Sequence, residues 1–223
     1  MGRIDDIFSA AATDGRRLLM PFVVAGHPSP AATEALLPRL EAAGASVVEL
    51  GIPFSDPIAD GPVIARAMHE ALEAGTRPAD VLEMVARVRP SLTMGLVAMV
   101  SCSIIERLGG VAFIHAAADA GVDGFIVPDL DPAAAADHAA ACRERDLAFA
   151  MLVAPGSPPE RIARLTALSR GFVYLLARAG LTGERDGAPD VRAGVAAIRS
   201  HTDLPVACGF GISRPEHVAA VTA

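Results

Sequence analysis

A chain of 223 residues with 52% apolar composition can fill one substantial core, and its length asks for no second domain. Its formal charge of -7 and its singly scattered arginines argue against binding a phosphate backbone, so no nucleic-acid partner is expected. All 19 basic residues are arginine, and the lack of lysine excludes chemistry through a lysine Schiff base.

The opening MGRIDDIFSAAATDGRR carries acidic residues early and no long apolar run. It reads as neither a secretory signal nor a membrane span, which predicts a cytoplasmic protein with no membrane contact. Seven short apolar runs follow, at 19–26, 46–53, 92–100, 124–130, 147–155, 171–178 and 204–211. Most are apolar almost throughout, as expected of strands covered on both faces of a parallel sheet. Alanine-rich amphipathic stretches separate them. Helix starts are marked by Ser29-Pro30, by Asp131-Pro132, and by the S-x-x-E boxes Ser157 to Glu160 and Ser213 to Glu216. Most spacings between runs fit one βα unit; the interval from 53 to 100 has room for an extra helix and that from 178 to 211 for a long loop. Cys102, Cys142 and Cys208 are odd in number and far apart, which suits reduced thiols in the core rather than a disulfide framework.

Repeated βα units allow a closed (β/α)8 barrel or an open doubly wound sheet. No early G-x-G-x-x-G or G-x-x-x-x-G-K-[ST] supports a nucleotide-binding sheet, so the expected fold is an α/β barrel of the TIM type.

The second run, SVVELGIP, carries the first chemical signal. A strand's two-residue period sends Val48, Leu50 and Ile52 toward the helices and Val47, Glu49 and Gly51 into the barrel. A carboxyl inside a barrel is costly to ionise, so its pKa should rise, as a general acid-base residue requires. Asp60 follows in PFSDPIADGPVIARA, a loop past the strand's C-terminal end, where barrel enzymes place their chemistry. Helix capping near Gly61-Pro62 is the competing reading of Asp60, and Asp56 reads as a turn residue.

The block ELGIPFSDPIADGPVI, 49–64, resembles the signature of the tryptophan synthase alpha subunit family. MPFVVAGHP (20–28), GVDGFIVPDL (121–130), LVAP (152–155), RAGLTG (178–183) and GFGIS (209–213) agree with it in order. The resemblance implies a carbon-carbon lyase of tryptophan biosynthesis that splits indole-3-glycerol phosphate into indole and glyceraldehyde 3-phosphate. It implies no metal and no organic cofactor, and a tryptophan synthase beta subunit as partner in an alpha2beta2 complex. Carried over by motif, Glu49 shuttles a proton between indole C3 and the glycerol hydroxyl, and Asp60 accepts the indole N–H proton or stabilises the positive charge developing there. Phe22 and Tyr174 fall at positions near the indole, although an aromatic is as readily core filling, and Phe210 is a further expected substrate-binding residue. Thr182 belongs to a lid, and Gly183 and Gly211 to phosphate loops whose backbone N–H groups receive the anion.

Two departures stand out. Ser101-Cys102-Ser103-Ile104 replaces a Tyr-Tyr-Asn-Pro-like segment after the third run, and His27 stands where the family commonly has aspartate. The chain stops at EHVAAVTA, which predicts a single domain over 1–223 that lacks the last βα unit and binds phosphate poorly. Two other readings compete: a catalytically impaired partner of the beta subunit, and a different phosphate-handling barrel such as a sugar-phosphate aldolase or isomerase. No clustered His/Asp metal site is visible for the latter.

Overall fold

In this computed structural model, which describes residues 1–57, 60–178, 187 and 189–222, the apolar runs become parallel strands in chain order. The first sheet contains β1 (Phe22–Val24), β2 (Val47–Gly51), β3 (Gly95–Met99), β4 (Gly124–Ile126) and β5 (Ala148–Ala150). A second contains β6 (Leu152–Val153), β7 (Val173–Leu176) and β8 (Val206–Gly209), and every pairing between neighbouring strands is parallel.

The expected seven strands need one correction. The run 147–155 breaks at Met151, whose N–H donates to the Ser169 hydroxyl at 3.2 Å while its carbonyl accepts from Tyr174 N–H at 3.1 Å. That side-chain bond interrupts the ladder, so β5 pairs with β4 and β6 with β7. Eight ladder segments thus fill seven positions of a TIM-type barrel wall.

Ten helices surround these strands among the described residues. They are α1 (Arg3–Thr13), α2 (Pro30–Ala42), α3 (Pro62–Glu73), α4 (Pro78–Val88), α5 (Cys102–Arg107), α6 (Val111–Ala120), α7 (Ala136–Glu144), α8 (Pro159–Leu168), α9 (Arg192–Arg199) and α10 (Pro215–Thr222). The long interval after β2 holds α3 and α4, as its length predicts. Ser29 caps α2 by accepting from Ala32 N–H at 3.1 Å. Two expected starts differ. Asp131 makes a local turn, accepting from Ala133 N–H at 2.8 Å, and α7 begins later, at Ala136. Pro158, with no hydroxyl to offer, is the N-cap of α8, so the Ser157 box is not formed.

The strands divide their side chains as alternation requires. Val48, Leu50, Ile52, Leu96 and Ala98 pack outward against Leu37, Met84, Val85, Ile105 and Ile114 of the helices. Val47, Val97, Met99, Ile126, Ala148, Ala150, Phe172 and Tyr174 form a separate interior cluster. Each large side chain fully buried in these layers contributes about 1.5–3 kcal/mol. Ile4 of α1 joins the interior, and Phe8 stacks on Phe172 with ring centroids 5.6 Å apart, so α1 closes the interior at the strands' N-terminal ends. No helix among the described residues is long and apolar enough to cross a membrane.

Candidate active site

Glu49 sits in the middle of β2, in register with Phe22 on one side and Val97 on the other. Its backbone is spent on the ladder, and its side chain points inward with 4% of its surface exposed. Among the described residues the carboxyl meets no cation there; the Tyr174 hydroxyl donates to its Oε2 at a long 3.3 Å. Burial pushes the Glu49 pKa up to about 8, and the phenol's hydrogen bond pulls only weakly the other way. The same burial, with the Glu49 carboxyl alongside, drives the Tyr174 phenol well above its ordinary value. At neutral pH the pair is therefore a protonated acid beside a neutral phenol, an arrangement suited to giving and retaking one proton.

Asp60 lies half-buried in the loop between β2 and α3, its N–H donating to the Pro57 carbonyl at 3.0 Å. The N-cap of α3 is Gly61 with Pro62 next, so Asp60 is not the helix cap that local sequence allows. Its charge contributes to raising the Tyr174 phenol, which puts it in electrical contact with the Glu49 end of the interior.

The aromatic residues expected around the indole come together here. Phe22 is half-buried on β1 beside Glu49. The Phe210 ring meets Tyr174 edge-on, with centroids 5.9 Å apart and planes at 88°. Phe210 adopts φ 65, a left-handed conformation costly for a bulky residue, and Gly211 follows at φ 86. Thr182 and Gly183 lie outside the described residues.

Two further residues belong to this site that the motifs did not single out. A Cβ on Gly51 would come within 2.5 Å of the Phe22 ring, and one on Gly209 within 1.9 Å of the Tyr174 hydroxyl. Both glycines keep the space above Glu49 open for the two rings, and a glycine inside a strand is a sequence signal of such close approach.

The departing segment after β3 is a helix start rather than a gap. Ser101 caps α5 and donates from its hydroxyl to Asp129 at 2.7 Å, and Cys102 N–H donates to the same carboxylate at 2.8 Å. His27 places Nδ1 3.4 Å from the Glu70 carboxylate of α3. All three cysteines are free, with Cys142 buried. Among the described residues, the group of three metal-type ligands that comes together is Cys102, Glu106 and His138, which is not at Glu49.

Known proteins match this arrangement closely. The family profile for the tryptophan synthase alpha chain fits residues 8–223. The chain is 44% identical to the tryptophan synthase alpha chain of Halorhodospira halophila, over 99% of this chain and 82% of that one. It is 43% identical to that of Nitrosococcus oceani, over 95% and 79%. In three dimensions it superposes on the tryptophan synthase alpha subunit of Legionella pneumophila with a TM-score of 0.89, at 34% identity over 99% of this chain and 82% of that one. A Mycobacterium tuberculosis tryptophan synthase structure gives a TM-score of 0.87, at 35% identity over 95% and 81%. With a barrel of the same form and the family profile matched over nearly its whole length, the chain belongs to the tryptophan synthase alpha chain family and is a carbon-carbon lyase.

Proposed function

We propose that Glu49 and Asp60 carry the proton transfers of this lyase, splitting indole-3-glycerol phosphate into indole and glyceraldehyde 3-phosphate. The observation that carries the assignment is a buried carboxyl with a pKa of about 8 inside the barrel, with no cation beside it among the described residues. Protonated Glu49 gives its proton to indole C3. The resulting carboxylate takes the proton of the glycerol hydroxyl as the carbon-carbon bond breaks and the carbonyl of glyceraldehyde 3-phosphate forms. The proton lost from oxygen replaces the one delivered to carbon, so Glu49 ends as it began. Asp60 receives the indole N–H or stabilises the positive charge that develops on that ring.

Phe22, Tyr174 and Phe210 would wall the indole, with Gly51 and Gly209 supplying the room beside them. Backbone N–H groups near Gly183 and Gly211 would receive the phosphate, with Thr182 part of a lid beside Asp60. We read residues 1–223 as one domain that works in the cytoplasm beside a tryptophan synthase beta subunit, the partner implied by the family.

Indole release from indole-3-glycerol phosphate, measured for the parent, Glu49→Gln and Asp60→Asn, tests the assignment. Each substitution is expected to lower kcat/KM by about 10²- to 10⁴-fold. If either variant stays within a few-fold of an active parent, that residue does not take part in the proton transfers.

A further inference from the structure

Three side chains on two helices of the outer layer converge on one point. Cys102 and Glu106 stand four residues apart on α5, which places them on one helical face. His138 reaches the same point from α7. Cys102 Sγ, a Glu106 carboxylate oxygen and a His138 ring nitrogen all lie within 4.8 Å of one another. The sequence alone predicts no metal site, because His138 lies far along the chain from Cys102 and Glu106; folding α5 against its neighbours is what gathers them.

His138 is the second observation. It is 5% exposed, and neither ring nitrogen makes a hydrogen bond among the described residues. Its Nε2 lies 3.0 Å from Glu106 Oε1, close enough for contact but off the line an N–H would need for a hydrogen bond. A buried polar group left without a partner is destabilising. An ion pair between a charged imidazole and Glu106 would relieve part of that cost, but it would give the adjacent thiol no role. A cation shared by all three answers each group at once.

We propose that Cys102, Glu106 and His138 form a binding site for a divalent transition-metal ion of the zinc class, with water as a fourth ligand on the open side. Thiolate, imidazole and carboxylate are the donors such ions take. Bond lengths of about 2.0–2.3 Å put tetrahedral ligand atoms about 3.3–3.7 Å apart, so the His138–Glu106 pair is nearly set. The whole group closes with a side-chain shift of about 1 Å. Glu106 is well exposed and free to make that shift, and its exposure leaves room for the water. The ion would join α5 to α7 and brace the turn where Ser101 and Cys102 hold Asp129. This site is independent of the assignment of Glu49 and Asp60.

Titrating the purified chain with Co²⁺ tests it. The expected result is a thiolate-to-cobalt charge-transfer band that saturates at one equivalent and is displaced by Zn²⁺. Cys102→Ser should abolish the band, whereas Cys208→Ser keeps it. Glu106→Gln and His138→Gln should weaken Zn²⁺ binding about tenfold or more, the scale on which even supporting groups around a metal matter. Zn²⁺ should also raise the Tm of the parent and not that of Cys102→Ser. Cys102→Ser is a near-isosteric change at a half-buried position, so the test stands even if a His138 variant fails to fold. No band in the parent, a band that persists in Cys102→Ser, or unchanged Zn²⁺ affinity in a folded His138→Gln would each overturn the proposal.

Discussion

Two largely buried carboxyls, Asp123 just before β4 and Glu49 in β2, are treated by the fold in opposite ways. Asp123 accepts from Arg3 at 3.1 Å, from Arg89 at 3.0 Å and from Leu96 N–H at 2.8 Å. Burial raises its pKa, and the Leu96 N–H and the two arginines oppose the rise. Glu49 is more deeply buried and among the described residues its carboxyl has the 3.3 Å phenol contact alone to oppose its desolvation. A carboxyl so supplied with partners is part of the framework that ties α1, the turn after α4 and β3 together. One left without a cation has kept its proton and its freedom to pass it on.

Changing each carboxyl in turn should separate rate from stability. Glu49→Gln carries the largest expected effect, a loss of about 10²- to 10⁴-fold in kcat/KM with the fold retained. Asp123→Ala should do the reverse. It leaves Arg89 largely buried without its carboxylate and should cost about 3–5 kcal/mol in chemical denaturation, with kcat per folded molecule within a few-fold of the parent. A loss of activity in folded Asp123→Ala comparable to that of Glu49→Gln would erase the distinction.

The contrast also has a pH signature. In the folded chain Glu49 titrates at about 8, against 4.5 ordinarily, so between those values the folded state holds a proton that the unfolded state has released. Stability therefore falls as pH rises from about 4.5 to about 8 and levels off above. Glu49→Gln should lack that component, so its Tm should match the parent near pH 4.5 and exceed it progressively toward pH 8. If the Tm difference stays constant over that range, Glu49 does not titrate as described.

Much of this was legible in the sequence because strand alternation depends only on neighbours. Val47, Glu49 and Gly51 face the interior and Val48, Leu50 and Ile52 the helices, as the two-residue period requires. Helix α1 was legible in principle, since Ile4, Ile7, Phe8 and Ala11 recur at helical spacing, but a reading of that segment for targeting alone passes over it. The break between β5 and β6 was not legible, because it depends on a hydroxyl from Ser169, 18 residues farther along the chain. The Asp123 network has the same character: Arg3 is 120 residues away and nothing local announces the pairing. Pro158 displaced the α8 start because two consecutive prolines fix the entry to the helix before Ser157 can cap it.

The smallest expected effect tests the hydrogen bond that the Glu49 carboxyl receives from Tyr174. Tyr174→Phe removes the phenol oxygen while keeping the ring that meets Phe210 edge-on, so packing in the interior is nearly conserved. The lost bond had favoured the charged form of Glu49, and without it the Glu49 pKa moves further up. Since kcat/KM reports the free enzyme and the protonated acid begins the reaction, activity should fall off above about pH 8 in the parent and at higher pH in Tyr174→Phe. At neutral pH the two rates should agree within a few-fold, because Glu49 is protonated in both. A fall-off that moves to lower pH would mean that the phenol stabilises the neutral carboxyl instead of the charged one.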